Sequence, residues 1–154
     1  MQVPPAHIKN IEVDWLGRDQ VEIEARWESQ TSSPRLQAME LRMAVICSEV
    51  RQALQVWIQD CLRAGQVLEG PEGRGHAEMF VREVSLKLRD QFTPPFAETE
   101  MCHCRVVTTA QVDRAVVSGC HSPREVSRAT TASTSCGTCR PDVEAWIRFR
   151  CEAR

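Results

Sequence analysis

Hydrophobic and polar residues alternate along the first part of the chain, over residues 8–27. An apolar residue at every second position is the pattern of a β-strand that buries one face. The residues of this face are Ile11, Val13 and Trp15 in the first segment and Val21, Ile23 and Ala25 in the second. Gly17-Arg18-Asp19 lies between the segments and supplies turn residues. The pattern therefore predicts a β-hairpin, which ends where residues 30–34 interrupt the alternation.

From Leu36 onward the apolar residues recur at steps of three or four, which is the spacing of one face of an α-helix. They are Leu36, Met39, Met43, Ile46, Val50, Leu54, Trp57 and Cys61. We therefore predict one long helix that ends near Gly65. A strand over residues 39–45 is the alternative, because apolar residues also alternate there. The helical spacing is sustained over more residues and is preferred.

A second helix is predicted after a glycine-rich loop at residues 69–75. It stops before Pro94-Pro95, and its apolar positions are Met79, Phe80, Val84, Leu88 and Phe92. Residues 93–100 combine two prolines with acidic residues, and the composition changes after them. We place a domain boundary here, with an α+β domain at residues 1–95 and a second domain at residues 96–154.

Three short helices are predicted in the second domain. Thr108 and Gln111 have the spacing of a capping box, and Gly119 closes the helix that they start. A second box at residues 122–125 starts the next helix, and Pro141 opens the third. The predicted fold class is thus α+β, with an N-terminal β-hairpin and two helices followed by a small all-helical domain.

Composition and charge argue against several classes of function. The 154 residues carry a net charge of −2, which gives no electrostatic case for nucleic acid or an anionic membrane. The first residues lack the regions of a signal peptide, and no apolar stretch is long enough to span a bilayer, so we expect a cytoplasmic protein. No phosphate-binding loop or nucleophile motif is present, and we expect no enzyme activity. Acidic residues of the hairpin are interpreted as a solvated face, namely Asp14, Asp19, Glu22 and Glu24.

Cysteine is the most informative residue type, with eight copies. Four of them form two close pairs, Cys102-His103-Cys104 and Cys136-Gly137-Thr138-Cys139. Two thiolates on one short loop converge on a single point, which is what a metal ion or an iron–sulfur cluster requires. In the cytoplasmic protein expected here, paired cysteines indicate metal or redox chemistry rather than a disulfide framework. The short helices predicted between the pairs allow the two loops to meet.

The spacing of these cysteines and the sequence between them resemble the [2Fe-2S]-binding domain of the bacterioferritin-associated ferredoxin family, which also forms the middle of NifU. The shared features lie within residues 100–149. They are the Cys-x-Cys pair, the Val107-Thr108 pair, the helix that ends at Gly119, and the Cys-Gly-x-Cys pair after a Thr-rich loop. The resemblance implies that the cluster ligands are Cys102, Cys104, Cys136 and Cys139. A bound cluster would also stabilise so small a domain.

One position departs from the family pattern. The family has a glycine three residues before the third cysteine, where this chain has Ser133. If the loop needs a positive φ there, serine carries a strain on the order of 1 kcal/mol. Helix N-termini that begin near Thr108 and Cys139 would direct N–H groups at the negative cluster. Arg105 and Arg140, which each follow a cysteine, would raise the reduction potential if they point inward.

Two other uses of the four cysteines stay open. A structural zinc site takes four thiolates, although zinc ribbons normally use two Cys-x2-Cys pairs. A thioredoxin-type dithiol at Cys136 and Cys139 would leave the first pair unexplained. His103 is expected to face solvent, since four cysteines complete the site. Outside the pairs, Cys47 and Cys61 are expected on the apolar face of the long helix and Cys120 in the core, while Cys151 has no assigned role.

The sequence thus predicts a [2Fe-2S] protein that carries one electron to or from a protein partner, or that serves as an accessory redox module. The resemblance implies an iron-storage or iron–sulfur assembly protein as that partner. A cluster- or zinc-stabilised interaction module, or an iron or redox sensor, is the alternative. The domain order is also similar to NifU, whose first domain is an assembly scaffold, but Cys47 and Cys61 do not supply the scaffold's ligands. The apolar face of the long helix allows an oligomer.

Overall fold

The computed structural model describes residues 7–15, 18–28 and 33–152, and for residues 43–45 it describes the backbone alone. The chain divides into two compact units, residues 1–71 with 80–92 and residues 72–79 with 93–154. The predicted domain division between residues 95 and 96 stays a prediction. Among the described residues, no helix has both the length and the hydrophobicity that a bilayer span requires.

The first unit contains a three-stranded antiparallel sheet in the order β1-β2-β3. Strand β1 spans His7–Trp15, β2 spans Asp19–Trp27 and β3 spans Leu36–Val45. The register pairs Val13 with Val21, so the alternating apolar residues of the two strands share one buried face. The predicted hairpin is confirmed. Gly17 of its turn and residues 30–32 of the interruption after it lie outside the described residues.

The prediction of one long helix from Leu36 is wrong for residues 36–45. Residues 36–45 form β3, and helix α1 spans Ser48–Ala64. The alternative, a strand over residues 39–45, is correct in type, and the strand begins three residues earlier. The apolar residues here fit both the helical spacing and the alternation of a strand. The strand is favoured because β3 forms backbone hydrogen bonds with β2, which the local spacing does not reveal. Gly65 ends α1 in the left-handed conformation, with φ +70°, as its place in the sequence predicts.

Helix α2 spans His76–Leu88, which confirms the second predicted helix but ends it before the predicted Phe92. Within the first unit, its Phe80 meets Trp15 of β1 edge to face, with 5.0 Å between the ring centroids. The Trp15 indole N–H donates to the Glu83 carboxylate over 2.8 Å. The buried indole therefore keeps a hydrogen-bond partner, and α2 is fixed against the hairpin.

Two of the four acidic residues assigned to a solvated face are buried. Asp19 is 2% exposed, and its Oδ1 accepts from the Cys47 backbone N–H over 2.7 Å. Glu24 is 3% exposed and is paired with both Arg26 and Arg42. Alternation marks the polar face of a strand, but it does not show which carboxylates find partners there. Cys47 is also placed differently from the prediction, because it is exposed at the N-terminus of α1.

The second unit is helical around a short two-stranded ladder. Strand β4 spans Glu100–Cys102, β5 spans Val107–Thr108, α3 spans Thr109–Val117, α4 spans Pro123–Thr130 and α5 spans Arg140–Cys151. The three predicted helices and the α+β class are confirmed. The ladder is absent from the predicted all-helical domain, because strands of two and three residues are too short to show a period.

Side-chain caps fix where the first two of these helices begin. At α3 the Thr108 hydroxyl accepts from the Gln111 N–H, and the Gln111 side chain accepts from the Thr108 N–H over 2.8 Å. At α4 the Ser122 hydroxyl accepts from the Glu125 N–H over 3.3 Å. In turn, the Glu125 carboxylate accepts a hydrogen bond from the His121 N–H over 3.0 Å. Both predicted starts are confirmed.

The core of the second unit draws on all three helices and both strands. Its buried apolar members include Met101, Val107, Val112, Val116, Val126, Val143, Trp146 and Ile147. Cys151 belongs to this core, and Cys120 packs against it as predicted. Because Cys102 and Cys139 are also members, the core holds one half of the cysteine site in place.

Candidate metal centre

The first cysteine pair lies on the turn between β4 and β5. Cys102 is the last residue of β4, and Cys104 follows in the turn. The turn closes through Val106, whose N–H is bonded to the His103 carbonyl over 3.4 Å. Val106 has a φ of +52°, which strains a β-branched residue. The strands at its base hold this turn in a conformation that its sequence disfavours.

The second pair lies on the loop that connects α4 to α5. Three of its residues have positive φ, namely Thr131 at +67°, Ser133 at +60° and Gly137 at +74°. Ser133 stands where the family pattern has glycine, and its left-handed backbone shows why glycine suits this position. The loop ends at Cys139, which is the N-cap residue of α5.

The structure brings the four predicted ligands together. The Cys104 Sγ lies 3.4 Å from the Cys136 Sγ and 3.7 Å from the Cys102 Sγ. The Cys139 thiol contacts the Cys102 thiol. The sulfur contacts therefore run in a chain across both loops, from Cys139 to Cys102, then to Cys104 and Cys136.

The four thiols differ in exposure. Cys102 and Cys139 are 1% and 6% exposed, whereas Cys104 and Cys136 are exposed. The centre thus has one side inside the domain core and one side that faces solvent. A redox group held by all four sulfurs would be shielded from within and accessible at the outer pair.

Backbone N–H groups act on the inner pair of thiols. Burial raises the pKa of Cys102, but the N–H of Ser133, the Cys139 thiol and the N–H of Arg105 outweigh it, and the pKa is lowered. Cys139 has the opposite balance, since burial and then the neighbouring Cys102 raise its pKa to about 11. The inner pair therefore resists carrying two negative charges. A bound cation is what would stabilise both as thiolates.

In the exposed pair, too, one thiol has a lowered pKa and the other a raised pKa. Thr138 lowers the pKa of Cys136 to about 7, first through its hydroxyl and then through its backbone N–H. The N–H of Cys136 favours the Cys104 thiolate, but the Cys136 thiol, desolvation and the Cys102 thiol outweigh it and raise the pKa of Cys104. The sequence did not assign a role to Thr138. Its place between two cysteines is the signal that could have identified it.

The donor set fits a metal or iron–sulfur centre. A tetrahedral ion with metal–sulfur bonds of about 2.3 Å holds two thiolates about 3.8 Å apart. The Cys102 and Cys104 sulfurs lie 3.7 Å apart. The cavity at the thiols has a volume of about 400 Å³ and is lined by the four cysteines with Phe96, Glu98, Met101, His103, Thr138 and Asp142. These four cysteines could hold a [2Fe-2S] cluster or a zinc ion, because sulfur distances alone do not separate the two.

The other residues that the sequence singled out lie at the rim of the centre. His103 faces solvent, as predicted, and its Nδ1 lies 2.7 Å from a Glu100 carboxylate oxygen. Arg105 and Arg140 are exposed, and neither side chain lines the cavity. The Arg140 Nε donates instead to Glu144 over 3.0 Å. The groups that stabilise negative sulfur here are therefore backbone N–H groups and a hydroxyl, rather than arginine side chains.

The fold and the four converging sulfurs are those of a small domain whose cysteines could hold a metal centre. Residues 101–148 match the family model described as BFD-like [2Fe-2S] binding domain. This match confirms the predicted family resemblance and the [2Fe-2S] cofactor for the matched segment, which is a little under a third of the chain. Searches of curated proteins and of solved structures found no match.

Proposed function

We propose that the second unit is a one-electron carrier whose [2Fe-2S] cluster is held by Cys102, Cys104, Cys136 and Cys139. The observation that carries the proposal is the convergence of these sulfurs from two loops that are 32 residues apart in sequence. A [2Fe-2S] cluster with four thiolate ligands takes up and releases one electron. The chain needs only to hold the cluster, tune it and expose one side of it.

The exposed thiols mark the side through which electrons would pass. Cys104 and Cys136 face solvent, while the inner pair is covered by the core of the domain. A partner that docks on the outer pair would therefore come closest to the cluster. Substitutions that leave the four ligands intact but add bulk beside Cys104 would be expected to slow transfer to a protein more than transfer to a small reductant.

The donors around the sulfurs would tune the reduction potential. The N–H groups of Ser133, Arg105 and Thr138 and the Thr138 hydroxyl act on ligand sulfurs. Hydrogen bonds to cluster sulfurs favour the reduced, more negative form and so raise the potential. Thr138→Val removes the hydroxyl alone, and we expect it to lower the potential relative to the unaltered chain, with Thr138→Ser restoring it.

Visible absorption of anaerobically purified protein tests the proposal, with iron, sulfide and zinc assayed on the same sample. Brown protein with about two irons and two sulfides per chain, whose colour changes reversibly on one-electron reduction, would support a carrier. Colourless protein with about one zinc per chain would discard electron transfer and leave a zinc-stabilised interaction module. Cys120→Ser is the matched control, because this cysteine packs against the core and is not one of the four proposed ligands.

The proposed partner is an iron-storage or iron–sulfur assembly protein, which follows from the family resemblance of the cysteine segment. The rate at which the reduced cluster is reoxidised by ferric iron within a storage protein would test it, with free ferric citrate as the comparison. A rate no faster with the storage protein than with citrate would refute this partner. A cytoplasmic location, the lack of enzyme activity and the role of the first unit stay predictions.

A further inference from the structure

The two exposed cysteines of the centre are placed to bond to each other. Their Sγ atoms lie 3.4 Å apart, closer than the 3.7 Å between Cys102 and Cys104. A disulfide needs a sulfur–sulfur distance of about 2.05 Å, so the side chains have to approach by roughly 1.4 Å. Cys104 and Cys136 belong to different loops, and a bond between them would close a ring of chain that contains α3 and α4.

We propose that Cys104 and Cys136 form a reversible disulfide when an oxidant of the disulfide class reaches the chain before the cluster is built, and that this bond blocks cluster assembly until a thiol reduces it. The inference rests on the proposed function in one respect, since the block requires both residues to be cluster ligands. The disulfide takes two of the four thiolates away from the metal. The reduced chain is competent for assembly, and the oxidised chain is not.

The reaction balances with oxidised glutathione as the oxidant. The thiolate of one cysteine attacks the glutathione disulfide, forms a mixed disulfide and releases one glutathione thiolate. The second cysteine attacks the protein-bound sulfur, closes the Cys104–Cys136 bond and releases the other glutathione. The two cysteine protons pass to the two glutathione thiolates, and the two electrons lost by the cysteines reduce the oxidant. An excess of reduced thiol reverses both steps.

Exposure selects this pair over the others at the centre. Cys102 and Cys139 also contact each other, but both are buried in the core of the domain, where a tripeptide oxidant cannot reach them. A bond between Cys102 and Cys104 would need one buried sulfur and a longer approach. Cys47 is exposed in the first unit and is not one of the four paired cysteines. Its reaction with glutathione therefore measures how readily an exposed thiol outside the centre is modified.

Peptide mapping of the oxidised chain tests the pairing. The full chain is freed of metal with a chelator under anaerobic conditions, treated with oxidised glutathione, alkylated and digested without reduction. Each cysteine pair stays on one tryptic peptide, so fragmentation spectra must identify the bonded sulfurs. We expect about a tenfold excess of Cys104–Cys136 over any other disulfide within the protein. The same treatment in denaturant is the comparison, and it should give a mixture of pairings.

Cysteine variants test whether the fold, rather than random pairing, determines which disulfide forms. Cys102→Ser and Cys139→Ser should keep the bond between Cys104 and Cys136, whereas Cys104→Ser should abolish it. A native chain that gives the same mixture as the denatured chain, or mainly a bond between Cys102 and Cys104, would overturn the pairing.

Cluster assembly tests the block. The disulfide-linked chain and the reduced chain are each supplied with ferrous iron and sulfide, and visible absorption is followed. We expect assembly at least about tenfold slower in the linked chain, with full recovery after dithiothreitol. Equal rates would refute the block. A reduced chain that binds zinc alone would refute the proposed function, while the mapped disulfide would still decide the pairing.

Discussion

Asp113 on α3 and Arg150 on α5 form an ion pair through two parallel hydrogen bonds. The Arg150 Nε donates to Oδ1 of Asp113 over 2.7 Å, and Nη2 donates to Oδ2 over 2.8 Å. The Trp146 indole N–H donates to the same Oδ1 over 2.7 Å. Helix α3 follows the first cysteine loop and α5 begins at the second. The pair therefore ties together the two helices that flank the metal centre.

Removing the Asp113 charge should destabilise the second unit strongly. Arg150 is 6% exposed, so Asp113→Asn removes a negative charge that lies within hydrogen-bond distance of a buried guanidinium. Loss of one partner of a buried pair costs on the order of 3 kcal/mol in free energy of unfolding. Urea denaturation followed by circular dichroism measures the change. Glu144→Gln is the control, because its pair with Arg140 is exposed and contributes at most about 1 kcal/mol. Equal losses in the two variants would contradict the prediction.

Local signals account for the parts of the fold that the sequence predicts correctly. Alternation identifies β1 and β2. The spacing of a threonine and a glutamine identifies the start of α3, and that of a serine and a glutamate the start of α4. Strand β3 was predicted only as the alternative to a helix, over residues 39–45, because its apolar residues fit both a helix and a strand. The hydrogen bonds that decide between them come from β2, which is distant in sequence from much of β3.

The candidate site divides in the same way. The close spacing of each cysteine pair is a local signal, and it predicts which four sulfurs the structure brings together. The donors from Ser133 and Arg105 are main-chain groups, whose direction depends on loop conformation rather than on residue type. The pairing of Asp113 with Arg150 joins residues on two helices and leaves no mark in either helix alone. Such features follow from tertiary structure, and a single sequence does not show them.

Ser133→Gly should stabilise the second cysteine loop. Serine at φ +60° carries a strain that glycine avoids, and the substitution keeps the N–H that acts on Cys102. We expect a gain of up to about 1 kcal/mol in free energy of unfolding, with an unchanged visible spectrum. Ser135→Gly, on the same loop but without positive φ, should give no gain. If both variants shift the denaturation midpoint equally, strain at Ser133 is not the cause.

Substituting any of the four paired cysteines should abolish stable cluster binding. Each supplies one of the sulfurs that converge at the centre, so serine at any of the four positions leaves an incomplete set of thiolates. Iron and sulfide per chain should fall to below about a tenth of the unaltered value after desalting. Cys61→Ser should retain both, because Cys61 is buried on α1, where its sulfur accepts from the Leu68 N–H over 3.3 Å. Retention of iron in Cys136→Ser would remove Cys136 from the ligand set.

Glu125 should make the stability of the second unit sensitive to acid. The Ser122 hydroxyl is the largest cause that lowers the pKa of Glu125 below 4.5, and the His121 N–H adds to it against partial desolvation. A carboxyl whose pKa is lower in the folded state contributes its full stability above the unfolded-state value and loses it as the pH falls through the folded-state value. Between about pH 6 and pH 3, the unaltered chain should therefore lose more stability than Glu125→Gln. Ser122→Ala removes the hydroxyl that lowers the Glu125 pKa most. Its loss of stability with falling pH, measured by urea denaturation, should lie between those of the other two chains. If all three chains lose the same stability as the pH falls, Glu125 is not the cause of the acid sensitivity.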